Sequence, residues 1–386
     1  MRKLFFLIIV LTVVISGCKQ STEPQPVDAK PPGYQEDIPW PSLADSPWPT
    51  FGADAQNTFR AKSDEIIQGN IDWSSDLINN EFGIVVGKDS TIYVAANPTG
   101  TGKLIAFSSE GNIKWEVVLD NSGVMATPVV LANGDVLCLT LLSFHLISSS
   151  GVKIRTIPHA AGNYYPTPKI NISHDGDIIY VSGSNTLNSL SLEGNINFTF
   201  RDSTGLYWDG RMAFSPDGKK LYLTGSGLTC FNLETIKIDW ILNKENTYRG
   251  IMVESGGNIL SMESIPDDRA SKLLTMIDKD GNKLWQYKFH YAGFSNISID
   301  RNGNIYFGNP LKSVTFYGKF RWELNTGHGI MHPVLNNNSL FTVYRGNDNS
   351  LIVQNYSFDG NINWTVEKDS CDYYDGKSPS IAFGRL

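Results

Sequence analysis

Aromatic, basic and imidazole side chains gather in a series of short segments. They are Tyr164-Tyr165, Tyr207-Trp208 with Arg211, Tyr248-Arg249, His290-Tyr291, His328 with His332, and Tyr373-Tyr374. Tyr, Trp and Arg are the types that anchor interfaces, and an aromatic face also stacks on a sugar ring, so the set predicts a surface for protein or glycan. The plainer reading is that these side chains pack the bases of loops. His328 and His332 stand four apart, which in an extended strand puts both on one face. With His290 or a carboxylate they could hold a divalent ion, but no HExxH or comparable metal spacing accompanies them. Asp369, Asp372 and Asp375 step by three, unlike a calcium loop with ligands at alternate positions. No Gly-rich turn joins a strand to a helix as a phosphate cradle requires, and no nucleophile elbow is present. No metal, no cofactor and no catalytic residue are therefore assigned, and the balance leans away from an enzyme.

One further residue with chemistry is Cys18. Arg2 and Lys3 precede a twelve-residue apolar run, Leu4 to Ile15, which ends in Ile15-Ser16-Gly17-Cys18. The run is too short to span a bilayer and suits a signal peptide. The small residues before Cys18 resemble a bacterial lipobox, which implies cleavage before Cys18 and a thiol carrying lipid. Removing Arg2 and Lys3 would take the formal net charge from −7 to −9. Lysine rather than aspartate at position 19 resembles the sorting signal for the outer membrane, on its periplasmic side or surface. Residues 18–47 read as the lipidated cysteine and a stiff solvated linker, because eight of the 18 prolines fall between Pro24 and Pro49. Cys138, Cys230 and Cys371 remain, an odd number; Cys138 and Cys230 sit in apolar runs and read as buried, unpaired thiols.

The elements that position these segments follow from a repeat. A glycine turn and a short strand with an aromatic recur as Gly69-Asn-Ile-Asp-Trp73, Gly111-Asn-Ile-Lys-Trp115, Gly194-Asn-Ile-Asn-Phe198, Gly281-Asn-Lys-Leu-Trp285, Gly318-Lys-Phe-Arg-Trp322 and Gly360-Asn-Ile-Asn-Trp364. Gly151 to Arg155 and Thr235 to Trp240 keep the rhythm. The period from Trp73 to Trp364 is about 42 residues, within the range of four-stranded propeller blades. Asn-Gly and Asp-Gly turns before alternating apolar residues mark a second strand in each period, as in Asn133-Gly134 and Asp217-Gly218. Low charge, 18%, with 35 Gly and 9 Trp excludes a helical bundle or a disordered chain. The net negative charge excludes nucleic acid as the natural partner.

The expectation is an all-β β-propeller over residues 48–386, following a signal peptide over 1–17. Eight outer strands, beginning at Trp73, and eight inner strands, ending at Ser380-Ile-Ala-Phe-Gly384, predict eight blade positions with one incomplete; seven blades is the alternative. The recurrent Trp then belongs to the core between blades. Every connection from an outer strand to the next inner strand falls on one face, around the channel mouth, and the aromatic and basic segments lie in those connections. His159 shares them, whereas His145 lies in a strand and His174 in a turn.

Trp48-Pro49-Thr50-Phe51, Asp54 to Asn57 and Arg60, taken with the Gly-x-x-x-Trp strand, resemble bacterial propellers of the pyrroloquinoline-quinone-like repeat class. That class holds quinoprotein dehydrogenases and non-catalytic lipoproteins of the outer-membrane assembly factor B type. The dehydrogenases are longer and hold quinone with calcium and often a vicinal disulfide, none of which can be placed here. The resemblance implies a lipid-anchored envelope scaffold, monomeric, that binds protein or glycan. The alternative is a funnel-site envelope enzyme, a quinone-dependent dehydrogenase or a polysaccharide-cleaving enzyme.

Overall fold

Short apolar strands between tight turns pair into antiparallel sheets, whose inner strands are buried on both faces while the outer ones alternate. A computed structural model describes residues 30–64, 68–75, 83–97, 100–159, 170–183, 185–290, 296–324, 333–346 and 350–368. The first sheet holds β1 (Ile84–Val86), β2 (Ile92–Ala96), β3 (Gly102–Phe107) and β4 (Ile113–Asp120). The second holds β5 (Val129–Val130), β6 (Val136–Leu139), β7 (Ser143–Ile147) and β8 (Lys153–Pro158). The third holds β9 (Ile170–Ile172), β10 (Ile178–Ser182), β11 (Thr186–Leu190) and β12 (Ile196–Arg201). A six-stranded sheet follows, with β13 (Trp208–Phe214), β14 (Lys220–Asn232), β15 (Lys237–Val253), β16 (Ile259–Ile265), β17 (Asp268–Ile277) and β18 (Lys283–His290). The fifth holds β19 (Ser298–Ile299), β20 (Ile305–Phe307), β21 (Leu311–Val314) and β22 (Phe320–Leu324). The last holds β23 (Val334–Leu335), β24 (Leu340–Arg345), β25 (Leu351–Tyr356) and β26 (Ile362–Lys368).

The chain is an all-β propeller, but its blade count corrects the expectation. Five blades are four-stranded and one sheet is six-stranded, rather than eight positions or seven separate blades. The cause lies in β14 and β15, each unbroken where the repeat placed two strands and a connection. β14 pairs with β13 through Leu221 to Gly225 and with β15 through Ser226 to Asn232, and β15 in turn pairs with β14 by its first half and with β16 by its second. Asn243 and Asn246, midway along it, donate from Nδ2 to the buried Glu263 carboxylate of β16 at 2.8 and 2.7 Å, holding the two ladders together. The Trp73 segment, read as a first outer strand, joins no ladder among the described residues, and Ser380 to Gly384 lie outside them.

The repeat has a physical origin in one irregularity. Each of β4, β8, β12, β15, β18, β22 and β26 carries a register shift shortly after its turn, which holds a glycine in all but β15. Such a bulge bends the strand and re-aims the side chain beyond it. The aromatic ring thereby turns onto the glycine turn of the neighbouring repeat. A methyl group at Gly318 would come within 2.7 Å of the Trp285 ring, and one at Gly151 within 2.7 Å of Trp115. The indole N–H of Trp115 donates to the Ser149 carbonyl at 3.0 Å, and that of Trp322 to Phe358 at 3.1 Å. Arg155, standing where the others have an aromatic, donates to the Glu193 carbonyl at 3.2 Å. Trp364 packs on Gly69 and Trp73 on Gly111, so these contacts also link the last sheet to the first.

Residues 33–47, read from the sequence as linker, pack against the sheets. Trp40 and Leu43 are buried, and the Trp40 indole N–H donates to the Ile172 carbonyl at 2.9 Å. The chain then turns back through residues 48–61 as a hub. The last residue of β1, β5, β13, β15, β19 and β23 gives its N–H to a carbonyl at Trp48, Pro49, Ala55, Gln56, Thr58 and Phe59 respectively. At β9 the Asn171 side chain reaches Ala55 instead, at 3.4 Å. Buried Arg60 pairs with Asp37 at 2.9 Å, and Arg301 pairs with the same carboxylate at 2.8 Å, pinning the outgoing strap to the hub. The two guanidinium groups hold Asp37 below its ordinary range although burial alone would raise it.

Candidate binding face

The hub takes up the ends of the inner strands, so each inner strand runs toward it. Outer strands are antiparallel at three removes and therefore run away from it, and their connections to the next inner strand lie on the opposite, open face. Tyr207, Trp208, Arg211, Tyr248, Arg249 and His290 are described there. Tyr164, Tyr165, Tyr291, His328, His332, Tyr373 and Tyr374 lie outside the described residues.

The described residues divide. Tyr207 is 41% exposed, and Arg249 and His290 are exposed. Trp208 is fully buried, packs near Phe200 and donates its indole N–H to Thr229 Oγ1 at 3.1 Å. Tyr248 is likewise in the core, where burial and the nearby Glu263 charge push its phenol up. These two support the sheet rather than present a surface. They begin or continue strands, where successive side chains alternate inward and outward, so only one of each Tyr-Trp or Tyr-Arg pair can face out. Gly225 allows the turn beneath Tyr207: a methyl group there would fall 1.9 Å from the Tyr207 carbonyl oxygen.

Arg211 is half-buried and fixed by Asp209, whose Oδ2 lies 3.3 Å from Nη1, while Thr224 Oγ1 donates to Asp209 Oδ1 at 2.6 Å. Lys272, which the sequence gave no reason to select, stands beside Arg249. Burial first and then the Arg249 charge hold its ammonium below the ordinary lysine range. His290 pairs across β17 with Ser271, next to Lys272. Arg249 and Lys272 thus lie together at this edge of the open face, with His290 exposed nearby and the Asp268 carboxylate close enough to act on Lys272.

Deeper in, the hub exposes little. Between Gly52 and Ala61 only Asp54 keeps more than a trace of its surface open. Its carboxylate accepts from the N–H groups of Gln56 and Thr58 at 3.1 and 3.0 Å, and from the Thr58 hydroxyl. Burial outweighs those bonds and raises its pKa. His145 and Asp120 are a pair of types common in catalysis, Nε2 to Oδ2 at 3.0 Å with Thr140 Oγ1 donating to the same oxygen at 2.6 Å. The His145 side chain is only 2% exposed, so the pair ties adjacent sheets and meets no substrate. Cys138 and Cys230 are buried and free, and burial pushes both thiols up. Among the described residues no group of three His, Cys, Asp or Glu could hold a metal ion, and no helix is long and apolar enough to cross a membrane.

No family pattern matches the sequence, and no curated protein matches it. Solved structures do share the fold. A catalytically inactive virginiamycin B lyase from Staphylococcus aureus, crystallised with quinupristin, aligns with a TM-score of 0.52 at 14% identity, over 70% of this chain and 93% of that one. BamB from Moraxella catarrhalis aligns with a TM-score of 0.52 at 18% identity, over 72% and 85%. At those identities the likeness is one of architecture.

Proposed function

We propose that the protein is a cell-envelope lipoprotein of the pyrroloquinoline-quinone-like repeat class. Its propeller acts as a monomeric binding scaffold and meets protein or glycan partners at the open face. The observation that carries this reading is the asymmetry of the ends. Inner-strand ends are consumed by the hub, while the far end presents Tyr207, Arg249 and His290 with Lys272 alongside. Exposed aromatic and basic side chains on loops of a rigid scaffold suit recognition. The architecture shared with BamB fits a scaffold at the outer membrane. In this reading Cys18 carries the lipid that tethers the chain.

Capture of envelope partners from solubilised membranes tests it. Arg249→Glu with Lys272→Glu should abolish capture while leaving the thermal midpoint unchanged; undiminished capture would count against this face. Cys18→Ala should move the protein from the membrane to the soluble fraction, and unchanged membrane association would remove the anchor from the proposal.

A second reading, an envelope enzyme with a funnel site, draws on Asp54. A partly exposed carboxyl with a raised pKa is a group that can hold or give a proton, and a lyase shares the architecture. Asp54→Asn would then abolish turnover of an added substrate while leaving partner capture intact.

A further inference from the structure

We propose that the turn at residues 316–320, on the hub-side rim of the fifth sheet, rests on the phospholipid bilayer and so points the open face away from it. The inference builds on the lipid-anchored reading of Cys18. Outer strands start at the hub end, so the turn before each of them lies on that rim. Six of these turns close alike: Ser108, Ser148, Ser191, Asp278, Thr315 and Ser357 each give their N–H to the carbonyl four places on. They differ in what they carry at the tip. Before the glycine stand Glu110, Ser150, Glu193, Asp280 and Asp359 in five of them, and Tyr317 in the fifth sheet. After the glycine stands asparagine in four and Val152 in one, but Lys319 in the fifth sheet, followed by Phe320. Tyr317 is 59% exposed and Phe320 55%. Lys319 is also exposed, with no carboxylate in ion-pair reach among the described residues.

The shared closure shows that the fold does not demand the change. Two aromatic rings and a lysine, where sister turns carry an acid, an asparagine and Ile113, Ile196 or Ile362, are the residues of a membrane interface: rings sit at headgroup level and the ammonium meets phosphate. The place fits as well. A methyl group on Gly33 would fall 2.3 Å from the Phe316 ring, and the Gln35 N–H donates to the Arg301 carbonyl at 2.8 Å. The Phe316 and Tyr317 rings lie 5.7 Å apart. The strap thus meets the propeller beside Tyr317. Fifteen residues separate Gly33 from Cys18, about 45 Å when extended at about 3.1 Å per residue. Such a tether keeps this turn concentrated at the surface, so a contact too weak to hold a free protein suffices. The acids of the two flanking turns are paired, Asp280 with Lys279 and Asp359 with Arg321, each at 3.3 Å. Glu110 and Glu193, on the first and third sheets, disfavour an anionic surface, which tilts the propeller onto its fifth sheet.

Fluorescence quenching on vesicles tests this. Residues 19–386 with Cys371→Ser, held by a histidine tag before Lys19, are placed on vesicles of phosphatidylethanolamine, phosphatidylglycerol and a nickel-chelating lipid. Contact is then read whether or not Cys18 is acylated, and the Cys18→Ala fractionation reads the anchor separately. Cys138 and Cys230 are buried and free of label. A fluorophore on Asn302→Cys, exposed in the turn beside Arg301, reports from the fifth sheet, and one on Glu193→Cys from the third. Headgroup-spin-labelled lipid should quench the first roughly threefold more than the second. Tyr317→Glu, Lys319→Asn and Phe320→Ile together give the turn the Glu-Gly-Asn-Ile that residues 110–113 and 193–196 already carry, so the fold should hold. Quenching at position 302 should then drop to the level at 193. Equal quenching at the two sites with the native turn, or quenching at 302 that survives the triple change, overturns the proposal. So does loss of partner capture in the triple variant with quenching unchanged, which assigns the turn to a protein. Should the triple variant fail to fold, the two sites with the native turn decide alone.

Discussion

At the hub end, backbone N–H groups of six inner strands converge on twelve consecutive residues, Trp48 to Phe59, nearly all of them buried. At the open end Tyr207 and Arg249 face solvent, and Arg211 forms an ion pair with Asp209 at 3.3 Å. The same repeat unit supplies both ends, yet one end is committed to cohesion and the other, on the proposed reading, to recognition. Substitutions should therefore sort by end: those at the hub change stability, and those at the face change binding.

The largest contrast is between Trp48 and Tyr207. Trp48→Ala removes a buried ring from the hub and should cost about 3–5 kcal/mol in chemical denaturation, whereas Tyr207→Ala should stay within about 0.5 kcal/mol. Equal losses would break the comparison. Next comes Glu263, which accepts from Lys283 at 2.7 Å and from Gln286 at 2.9 Å besides Asn243 and Asn246. Glu263→Ala strands those donors and should cost about 1–3 kcal/mol, visible as loss of hydrogen-exchange protection across β15–β18. A pair of glycines sharpens the packing argument. Gly318→Ala meets the Trp285 ring and should cost about 1–3 kcal/mol in thermal unfolding. Gly176→Ala has open space around it and bears only its positive φ, worth about 1–2 kcal/mol.

A smaller effect follows from pH. Burial lowers the His145 pKa beneath its ordinary 6.5, with Lys153 adding to the shift and Asp120 opposing it. The unfolded chain takes the proton first, so stability should fall as pH drops below about 6.5 and level off only beneath the folded value. Asp120 is held below its ordinary 3.8, where burial alone would raise it, by bonds from Ser122 and Thr140. Its contribution is present above that value and is lost as pH falls through the lowered one. Denaturant midpoints between pH 7.5 and 5 should lose the His145 part of the slope in His145→Gln. The smallest stability change should come from Arg249→Ala, near zero, with the salt dependence of partner capture reduced.

Much of this architecture was legible from residue spacing. The interval between Trp115, Trp240, Trp285, Trp322 and Trp364 announces the blades because each ring must land on the next glycine turn. The fused ladder at β15 was not legible, since it depends on Asn243 and Asn246 meeting Glu263 across a connection that reads as an ordinary loop. The hub was hidden for a different reason: its bonds are between backbone atoms, which carry no residue identity, and proline in the strap read as solvation. At the face, Tyr207 and Trp208 looked alike as loop aromatics, but strand alternation sends one out and the other to Thr229. Lys272 escaped notice because a single lysine in a strand carries no pattern until Arg249 is placed beside it.

The lacing of residues 48–61 also sets an order of events. This segment emerges early from the ribosome, but its last partner, Leu335, is made some 275 residues later. Trp48 and Pro49 can meet Val86 and Val130 early, but the Phe59 carbonyl and the Ala61 N–H wait for Leu335. Sheets can form locally, hairpin by hairpin, because their strands are near neighbours in sequence. Central closure has to wait for nearly the whole chain, so the nascent protein passes through a stage of finished blades with an unfilled axle, when its apolar strap is open to chaperones or to other chains.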